Sequence, residues 1–382
     1  MKKEIIILGD VEMGAGTLTD DFISDKTLFK LISELNKRKH PVDLIFNGDT
    51  FDFLKCPYIK AKKKSFPRHI TEEISLTKLD LIKEAHKIIF DVLQKFVRQK
   101  KNRLFFTIGN HDHDLFFKKI QTKIKRILKS RGNVYIRNQY KYHGVYAEHG
   151  QQLDFLNRVN VRRIFVTYKG EQILNIPWVA FSLISKFMDI KEEHPFLERI
   201  VPYPLLFAHH KVLLKKMNWR SAEYLFKSLL YYPFRYFYDP TYYTIPRELL
   251  REIYRRFKSV NWGVDDIVEK FKSKRRWQKR LQQKVHVLSH VHKQYIEEKD
   301  DWVIIHPDTW RDEYILNVDT GKLTPKKKKY VQIILEDDDS LQWTVVDVPI
   351  KRSVLDFDEV SKDEIKFIKK AAKEEWFKGG KY

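Results

Sequence analysis

Carboxylate, amide and histidine side chains recur in short loops, each of which directly follows a predicted buried strand. In chain order the loops supply Asp10, Glu12, Asp49, Asp52, Asn110, His111, Asp112, His149, His290 and His292. Oxygen and imidazole donors without thiolates suit Mn, Mg, Fe or Zn. One four-coordinate ion cannot use so many donors, so we predict two divalent ions that share a carboxylate, and we favour Mn over Mg, Fe and Zn.

A pair of divalent ions would support in-line displacement at phosphorus. Two cations about 3.5–4 Å apart can hold and deprotonate a water, bind the phosphoryl oxygens and neutralise the charge of the transition state. An imidazole beside them can stabilise that charge or protonate the leaving oxygen. The residue types therefore predict a phosphoester hydrolase.

Predicted strands and helices alternate along much of the chain and place these loops at strand ends. Apolar runs predict strands at 4–8, 42–46, 104–108, 134–137, 140–147, 285–288, 302–306, 314–318, 330–335 and 341–348. Helical spacing of apolar residues predicts helices at 25–39, 71–100, 116–131 and 362–377. The pattern indicates an α/β fold, and such sheets carry their ligands at strand ends.

The order of the motifs resembles the calcineurin-like metallophosphoesterases. That family has an Asp-x-His, a Gly-Asp-x-x-Asp, a Gly-Asn-His-Asp/Glu, a lone histidine after a strand and a Gly-His-x-His. The chain has Asp10-Val11-Glu12, Gly48-Asp49-Thr50-Phe51-Asp52, Gly109-Asn110-His111-Asp112, His149-Gly150 and Ser289-His290-Val291-His292. The match covers roughly residues 1–155 and 284–350. It implies a sandwich of two mixed β-sheets flanked by helices.

The resemblance also implies a role for each donor. Asp49 would bridge the two ions. Asp10 and His292 would bind one ion, and the other would be bound by Asn110, His149 and His290. His111 would be the acid or charge-stabilising group beside the substrate, oriented by Asp112.

Two positions depart from the family pattern. Glu12 stands where the family usually has a histidine, and Ser289 replaces a glycine before the last histidine pair. We interpret Glu12 as a direct metal ligand, and as an anionic oxygen donor it would shift preference towards Mn or Mg. Binding of Glu12 through water, with a weaker ion site, is the alternative.

The character of the sequence changes between the two parts that match. We predict residues 1–154 as the first part of the core, 155–284 as a mainly helical, basic and aromatic insertion or cap, 285–350 as the second part of the core, and 351–382 as a C-terminal helical tail. The insertion contains an aromatic cluster at 231–238 and a basic stretch at 272–284. His209 and His210 lack partners at metal-binding spacing, so we interpret them as insertion surface.

The net charge of +22 in 382 residues has two equally weighted interpretations. It favours polyanionic partners such as nucleic acid or anionic lipid headgroups, or it reflects a lysine-rich genome or a warm habitat. The single cysteine, Cys56, allows no intrachain disulfide, and we expect a cytoplasmic protein that can associate peripherally with an anionic membrane. The longest apolar stretch, 176–184, is too short to span a bilayer, so we predict no transmembrane segment.

The leading hypothesis is a dinuclear-metal phosphoesterase in which a metal-bridging hydroxide attacks a phosphodiester or pyrophosphate bond of a large, nucleotide- or lipid-linked anionic substrate. Within the family, the context of His149 and Asp154 and the helical insertion are most similar to the UDP-2,3-diacylglucosamine hydrolase branch. A nuclease acting on DNA or RNA is the first alternative. A non-catalytic binding scaffold with a degenerate metal site, suggested by Glu12, is the second.

Overall fold

The protein is described here by a computed structural model that covers residues 2–155, 157–177, 180, 184–202, 206, 210–235, 264–273, 282–338 and 340–378. The predicted aromatic cluster at 231–238 and the predicted basic stretch at 272–284 lie partly outside these residues, and His209 lies wholly outside them. No helix among the described residues combines the length and the apolar character needed to cross a bilayer.

The described elements are the following. The strands are β1 Lys3–Leu8, β2 Val42–Asn47, β3 Tyr58–Lys60, β4 Lys63–Ser65, β5 Arg103–Thr107, β6 Val134–Arg137, β7 Tyr140–Tyr142, β8 Val145–Ala147, β9 Phe165–Tyr168, β10 Glu171–Leu174, β11 Ile200–Val201, β12 Val285–Val287, β13 Gln294–Lys299, β14 Trp302–Pro307, β15 Tyr314–Asn317, β16 Lys322–Pro325, β17 Lys328–Leu335, β18 Leu341–Val348 and β19 Leu355–Asp356. The helices are α1 Asp25–Leu35, α2 Glu72–Ala85, α3 Lys87–Arg98, α4 Lys118–Ile127, α5 Ile184–Glu193, α6 Lys211–Arg235, α7 Val264–Ser273, α8 Phe357–Lys362 and α9 Glu364–Glu374.

Two mixed sheets form the centre of the molecule. The six-stranded sheet has the order β18-β17-β1-β2-β5-β6, and the five-stranded sheet has the order β13-β14-β12-β8-β7. Strands β1, β2, β5 and β6 run parallel, whereas β17 pairs antiparallel with both β1 and β18. The predicted α/β sandwich is therefore confirmed.

The facing sides of the two sheets share one apolar core. Ile7 and Ile45 of the first sheet and Val287 and Ile305 of the second are fully buried there. The opposite side of the six-stranded sheet packs against α1, α3 and α4. Strand β1 is buried along its whole length, as expected for a run covered on both faces. The strand ends are thus fixed by packing on both sides.

A third packed region joins part of the insertion to the C-terminal residues. Strands β11, β15, β16 and β19 form a four-stranded sheet, and its core combines Leu197 and Leu213 with Tyr314, Phe367 and Ile368. Residues 351–378 therefore pack into the fold beside the insertion. The sequence predicted a C-terminal helical tail at 351–382 and gave no indication of this contact.

Several elements differ from the sequence prediction. The single helix predicted over 71–100 is divided at His86, whose ring nitrogen Nδ1 lies 2.7 Å from the Asp25 carboxylate. The strand predicted over 140–147 is a hairpin that turns at 143–144. The mainly helical insertion also contains the β9–β10 hairpin, which pairs antiparallel.

Candidate metal centre

Loops at the ends of β1, β2, β5, β8 and β12 bring the predicted metal ligands together. The backbone φ angles of several of these residues are positive: 49° at Asp10, 56° at Glu12, 46° at Asp49, 83° at His290 and 53° at His292. Left-handed conformations of residues other than glycine destabilise the fold by about 1–3 kcal/mol each and persist where the surroundings fix them. The chain therefore holds these side chains in place by strained loops anchored on rigid strands.

Two glycines permit the close approach of these loops. Gly48 has a φ of 77°, and a Cβ there would overlap the ring of His149. A Cβ at Gly109 would overlap the Asp49 carboxylate. The glycines that precede Asp49 and Asn110 in the motifs are thus required by packing within the site.

One half of the centre, which we call the Asn110 half, consists of Asn110, His149 and His290. Nε2 of His149 lies 3.0 Å from Oδ1 of Asn110 and 3.0 Å from Oδ2 of Asp49. The rings of His149 and His290 are 5.1 Å apart between centroids. Ligand atoms of Asp49, His149 and His290 all lie within 4.8 Å of one another, which is a suitable arrangement for one cation.

The other half, which we call the Glu12 half, consists of Asp10, Glu12 and His292. Nε2 of His292 lies 3.4 Å from a carboxylate oxygen of Asp10 and 3.4 Å from Oε1 of Glu12. Glu12 is fully buried, and its Oε1 has no hydrogen-bond partner among the described residues. Such an oxygen is available to a cation.

Asp49 belongs to both groups. Its ligand atoms lie within 4.8 Å of those of His149 and His290 on one side, and of those of Glu12 and His111 on the other. This location between the halves is what the predicted bridging role requires. The geometry brings every predicted metal ligand into one cluster.

The centre has a strongly negative potential. Burial opposes protonation of His149 and His111, but the neighbouring carboxylates outweigh it and raise the pKa of His149 to about 9 and that of His111 to about 10. Despite its burial, Asp49 has a pKa held well below the usual range by the same two imidazoles. Carboxylates that stabilise imidazolium ions in this way also attract divalent cations, and an ion bound by His149 would replace the proton of that ring.

The predicted catalytic pair is arranged differently from the expectation. Nδ1 of His111 lies 2.9 Å from Oδ1 of Asp52, so Asp52 and not Asp112 orients the ring. Asp112 accepts hydrogen bonds from the backbone N–H groups of Thr50, at 2.9 Å, and Gly109, at 2.6 Å. Asp112 therefore ties the loops after β2 and β5 together.

Lys55 and Arg311 were not predicted from the sequence, yet both face Glu12. Nζ of Lys55 lies 3.3 Å from Oε2 of Glu12 and 3.2 Å from Oε2 of Glu198, and it also pairs with Asp21. Nη1 of Arg311 lies 3.9 Å from Oε1 of Glu12. Arg311 lies shortly after the end of strand β14, and this position is the one feature of the sequence that could have identified it. Lys55 had no comparable signal.

The insertion contributes to the same buried network. Nζ of Lys191 lies 2.6 Å from Oδ1 of Asp21 and 2.5 Å from Oε2 of Glu198. Asp21 is fully buried between these cations. The Glu12 half is therefore connected to helix α5 through consecutive ion pairs.

Further contacts hold the histidines that follow β8 and β12. Nδ1 of His149 lies 3.1 Å from the backbone carbonyl of Asn47, which leaves Nε2 facing Asn110 and Asp49. The Asn47 side chain donates to Oγ of Ser289 at 3.1 Å. Nε2 of His290 lies 3.2 Å from Oδ2 of Asp154. Asp154 thus reaches the centre, and Ser289 links two loops where the family usually has glycine.

The side chains present fit two divalent ions. Three carboxylates, one amide oxygen and three imidazoles converge. Oε1 of buried Glu12 has no hydrogen-bond partner among the described residues and lies 3.4 Å from Nε2 of His292. Hard oxygen donors combined with imidazoles suit Mn, Mg, Fe or Zn. The Asn110 half together with Asp49 would hold one ion, and the Glu12 half together with Asp49 would hold the other.

Comparisons with known proteins bear on the family. A family model described as calcineurin-like phosphoesterase matches residues 4–245. No curated protein matches the chain. Among solved structures, one at 2.05 Å named "Putative 5'-Nucleotidase from Staphylococcus aureus", in complex with alpha-ketoglutarate, is similar at 13% identity and a TM-score of 0.32. The alignment covers 98% of this chain but only 58% of that one, and a likeness at this TM-score supports no conclusion about this chain.

Proposed function

The chain belongs to the calcineurin-like phosphoesterase family, and we propose that it hydrolyses a phosphodiester or pyrophosphate bond with two divalent ions held at the metal centre. The observation that carries this proposal is the position of Asp49 between two sets of buried donors. A carboxylate shared in this way is what a dinuclear site needs. Mn is the ion that we propose for it.

When bound, the two ions supply the positive charge that activates a water and neutralises the phosphoryl oxygens. The residues of the chain have separate tasks. Asp10, Glu12, Asp49, Asn110, His149, His290 and His292 hold the ions. His111 provides a protonated imidazole beside Asp49, and Asp52 fixes its orientation through Nδ1. Nε2 of His111 is then the atom that can donate a proton to the leaving oxygen.

We propose a large anionic substrate that carries a nucleotide or a lipid. The net charge of +22 supports an anionic partner. Helix α6 also exposes large apolar side chains at helical spacing, each between 61% and 72% exposed: Trp219, Phe226, Leu230 and Phe234. An apolar stripe on a basic protein favours a substrate at an anionic membrane surface over nucleic acid.

The two kinds of substrate can be separated by binding. We expect co-sedimentation with phosphatidylglycerol vesicles that weakens with salt, and little affinity for single-stranded DNA. Tight binding of single-stranded DNA with a steep salt dependence, without vesicle binding, would favour the nuclease instead.

The central test replaces Asp49 by asparagine, which keeps the size of the side chain and tolerates a positive φ. Because this removes the shared carboxylate charge, we expect the rate of bis-nitrophenyl phosphate hydrolysis in Mn²⁺ to fall more than about 100-fold. A loss of that size exceeds the effect expected when a residue that only hydrogen-bonds to a metal ligand is changed. Circular dichroism would verify the fold.

The matched control is Asp301→Asn, which changes an exposed carboxylate in the turn between β13 and β14. It should leave the rate unchanged. If the Asp49→Asn protein remains folded and hydrolyses the diester at the wild-type rate, the proposed dinuclear activity is wrong. Wild-type protein that binds metal but hydrolyses no phosphoester would support the scaffold alternative.

A further inference from the structure

An apolar groove lies between helix α9 and the loop that joins β1 to α1. Leu18 and Ile23 line it on the side of the loop, and Ile368, Ala372 and Phe377 line it on the side of the helix. Its volume of about 480 Å³ is within the range of about 300–1,000 Å³ that is typical of small-molecule sites. None of its described lining residues belongs to the metal centre. The groove is therefore a separate candidate binding site.

Trp376 presents a large aromatic ring to this groove. The residue follows helix α9 with a φ of 62°, and it is 49% exposed. Its ring meets Phe29 edge-on, with 6.0 Å between centroids, and Nζ of Lys26 lies 5.6 Å from the ring centroid. These contacts fix one part of the indole, while another part lines the groove. Exposed apolar surface that is rimmed by polar residues is typical of a ligand-binding groove.

Three lysines surround the groove: Lys369, Lys373 and Lys378. All three are exposed, and none of them pairs with an acidic side chain in the part of the chain that the structure describes. Lys369 and Lys373 are four residues apart on helix α9, so their side chains are neighbours and repel each other. An anionic group between these two ammonium groups would offset the repulsion.

The acidic residues near the end of helix α9 make contacts with other parts of the chain. Glu374 accepts hydrogen bonds from the backbone N–H of Ser353 at 2.8 Å and from its hydroxyl at 2.6 Å. Glu375 accepts hydrogen bonds from the backbone N–H of Thr27 at 3.1 Å and from its hydroxyl at 2.9 Å. The groove thus combines an apolar lining with positive charge that these carboxylates do not neutralise.

We propose that the groove binds the anion of one long-chain fatty acid. The alkyl chain would lie along Ile23, Phe377 and Trp376, and the carboxylate would lie between Lys369 and Lys373. Such a ligand buries apolar surface and pairs its charge at the same time. The proposal does not rest on the phosphoesterase activity.

The polar lining of the groove favours a fatty acid over a nucleotide. Apart from the lysines, Thr17 is the one polar residue among the described lining residues. Its hydroxyl donates to Asp20 at 2.9 Å and lies 2.6 Å from the hydroxyl of Thr19. A base or a sugar would therefore find few hydrogen-bonding groups here, whereas an alkyl chain needs none.

The experiment measures oleate binding to the full chain by isothermal titration calorimetry. Oleate is kept below the concentration at which it forms micelles, and a chelator is present so that no metal ion can bind the anion. We expect one oleate per chain. The double change Lys369→Gln and Lys373→Gln should weaken binding more than about 10-fold, because it removes both charge partners of the carboxylate.

Trp376→Asn should also weaken oleate binding more than about 10-fold, because it removes an apolar wall for the alkyl chain. Asparagine tolerates the positive φ at this position. Circular dichroism would verify that both variants are folded.

The matched control is the double change Lys366→Gln and Lys370→Gln. It removes the same charge from the same helix, at two exposed lysines that are also four residues apart but do not line the groove. This variant should keep the wild-type affinity for oleate. Butyrate, which has the same carboxylate on a short chain, should bind the wild type more than about 100-fold more weakly.

Three results would overturn the proposal. The first is folded wild-type protein that binds no oleate. The second is equal binding by the wild type, the two groove variants and the control, which would indicate a general attraction of anions to a basic protein. The third is a crystal structure, grown with oleate, in which residues 379–382 of the chain fill the groove. None of these results depends on whether the chain hydrolyses phosphoesters.

Discussion

In the Asn110 half of the metal centre, imidazoles face the shared carboxylate of Asp49, whereas in the Glu12 half the buried carboxylate of Glu12 also faces two permanent cations. His149 lies 3.0 Å from Asp49. Glu12 lies 3.3 Å from Lys55 and 3.9 Å from Arg311. An imidazole can release its proton to a metal, but lysine and arginine remain charged and repel an incoming cation. We infer that the Asn110 half binds its ion more tightly than the Glu12 half.

The strongest test of this difference changes one ligand in each half. His149→Asn removes a ligand of the Asn110 half, and we expect it to lose the tightly held ion and more than about 100-fold of the hydrolysis rate. Glu12→Gln should lose only the weaker ion and keep one ion per chain. Metal content after gel filtration, with the rate on bis-nitrophenyl phosphate, measures both. Equal loss of metal in the two variants would contradict the inference that the Asn110 half binds its ion more tightly.

Substitution of His111 tests whether this residue, which lies near both halves, acts on the substrate and does not bind metal. We expect His111→Asn to reduce kcat by about 10²–10⁴-fold, the usual contribution of a general acid, while both ions stay bound. Asn110→Ala next to it should instead lower the metal affinity. Metal titrations beside steady-state kinetics separate these effects. Loss of metal from His111→Asn would make it a ligand.

Lys55 tests the dependence of the Glu12 half on buried ion pairs. Lys55→Met leaves Glu12, Asp21 and Glu198 without this cation, so we expect a loss of about 3–5 kcal/mol in the free energy of unfolding. Urea denaturation measures it. Lys123→Met is the control, because its pair with Asp80 is more exposed and should contribute no more than about 1 kcal/mol. A similar small loss in both variants would show that the network adds little stability.

Substitution of Asp312 should give the smallest of these effects, a change in the pH dependence of stability. It follows Arg311 and is buried against Arg352, at 2.6 Å, and Lys328, at 3.1 Å. Despite burial, these cations hold its pKa well below the usual 3.8. The folded carboxylate thus adds stability that is present above pH 3.8 and is lost as the pH falls towards the lowered pKa.

We therefore expect the stability difference between wild type and Asp312→Asn to shrink below pH 3.8, by up to about 1.4 kcal/mol per pH unit. Urea denaturation at pH 7, 5, 4 and 3 in a chelator measures the difference. Asp338→Asn, which changes an exposed carboxylate, is the control. A difference that is independent of pH would contradict the assignment.

The convergence of Asn110, His149 and His290 could be predicted from the sequence because each residue follows a strand closely within a compact motif. The motif and the apolar run before it are both local signals. Lys55 and Lys191 could not be predicted in this way, because tertiary packing alone brings them beside Glu12 and Asp21. The family pattern identified Glu12 as unusual, but only the structure shows the cations that compensate its charge.

Some features of the fold also depend on contacts between residues that are distant in sequence and could not be predicted. The buried strands predicted the α/β class and the family resemblance implied the sandwich, but helix α2 ends at His86, which contacts the distant Asp25. The β9–β10 hairpin did have a local signal, since Lys169 and Gly170 form a two-residue turn with φ angles of 50° and 82°. The basic and aromatic residues around these two short strands obscured the strand pattern in the sequence. His210 was assigned to the surface because its partners, His194 and Glu364, are remote in sequence.

The left-handed backbone at Asp10, Glu12, Asp49, His290 and His292 has a consequence for how this protein can be changed. Glycine at any of these positions would relieve backbone strain, but it would also remove a side chain that has buried partners, as Glu12 has in Lys55 and Arg311. A substitution that relieves the strain therefore also removes a proposed ligand. Relief of strain and preservation of hydrolysis are opposing demands on the same few positions.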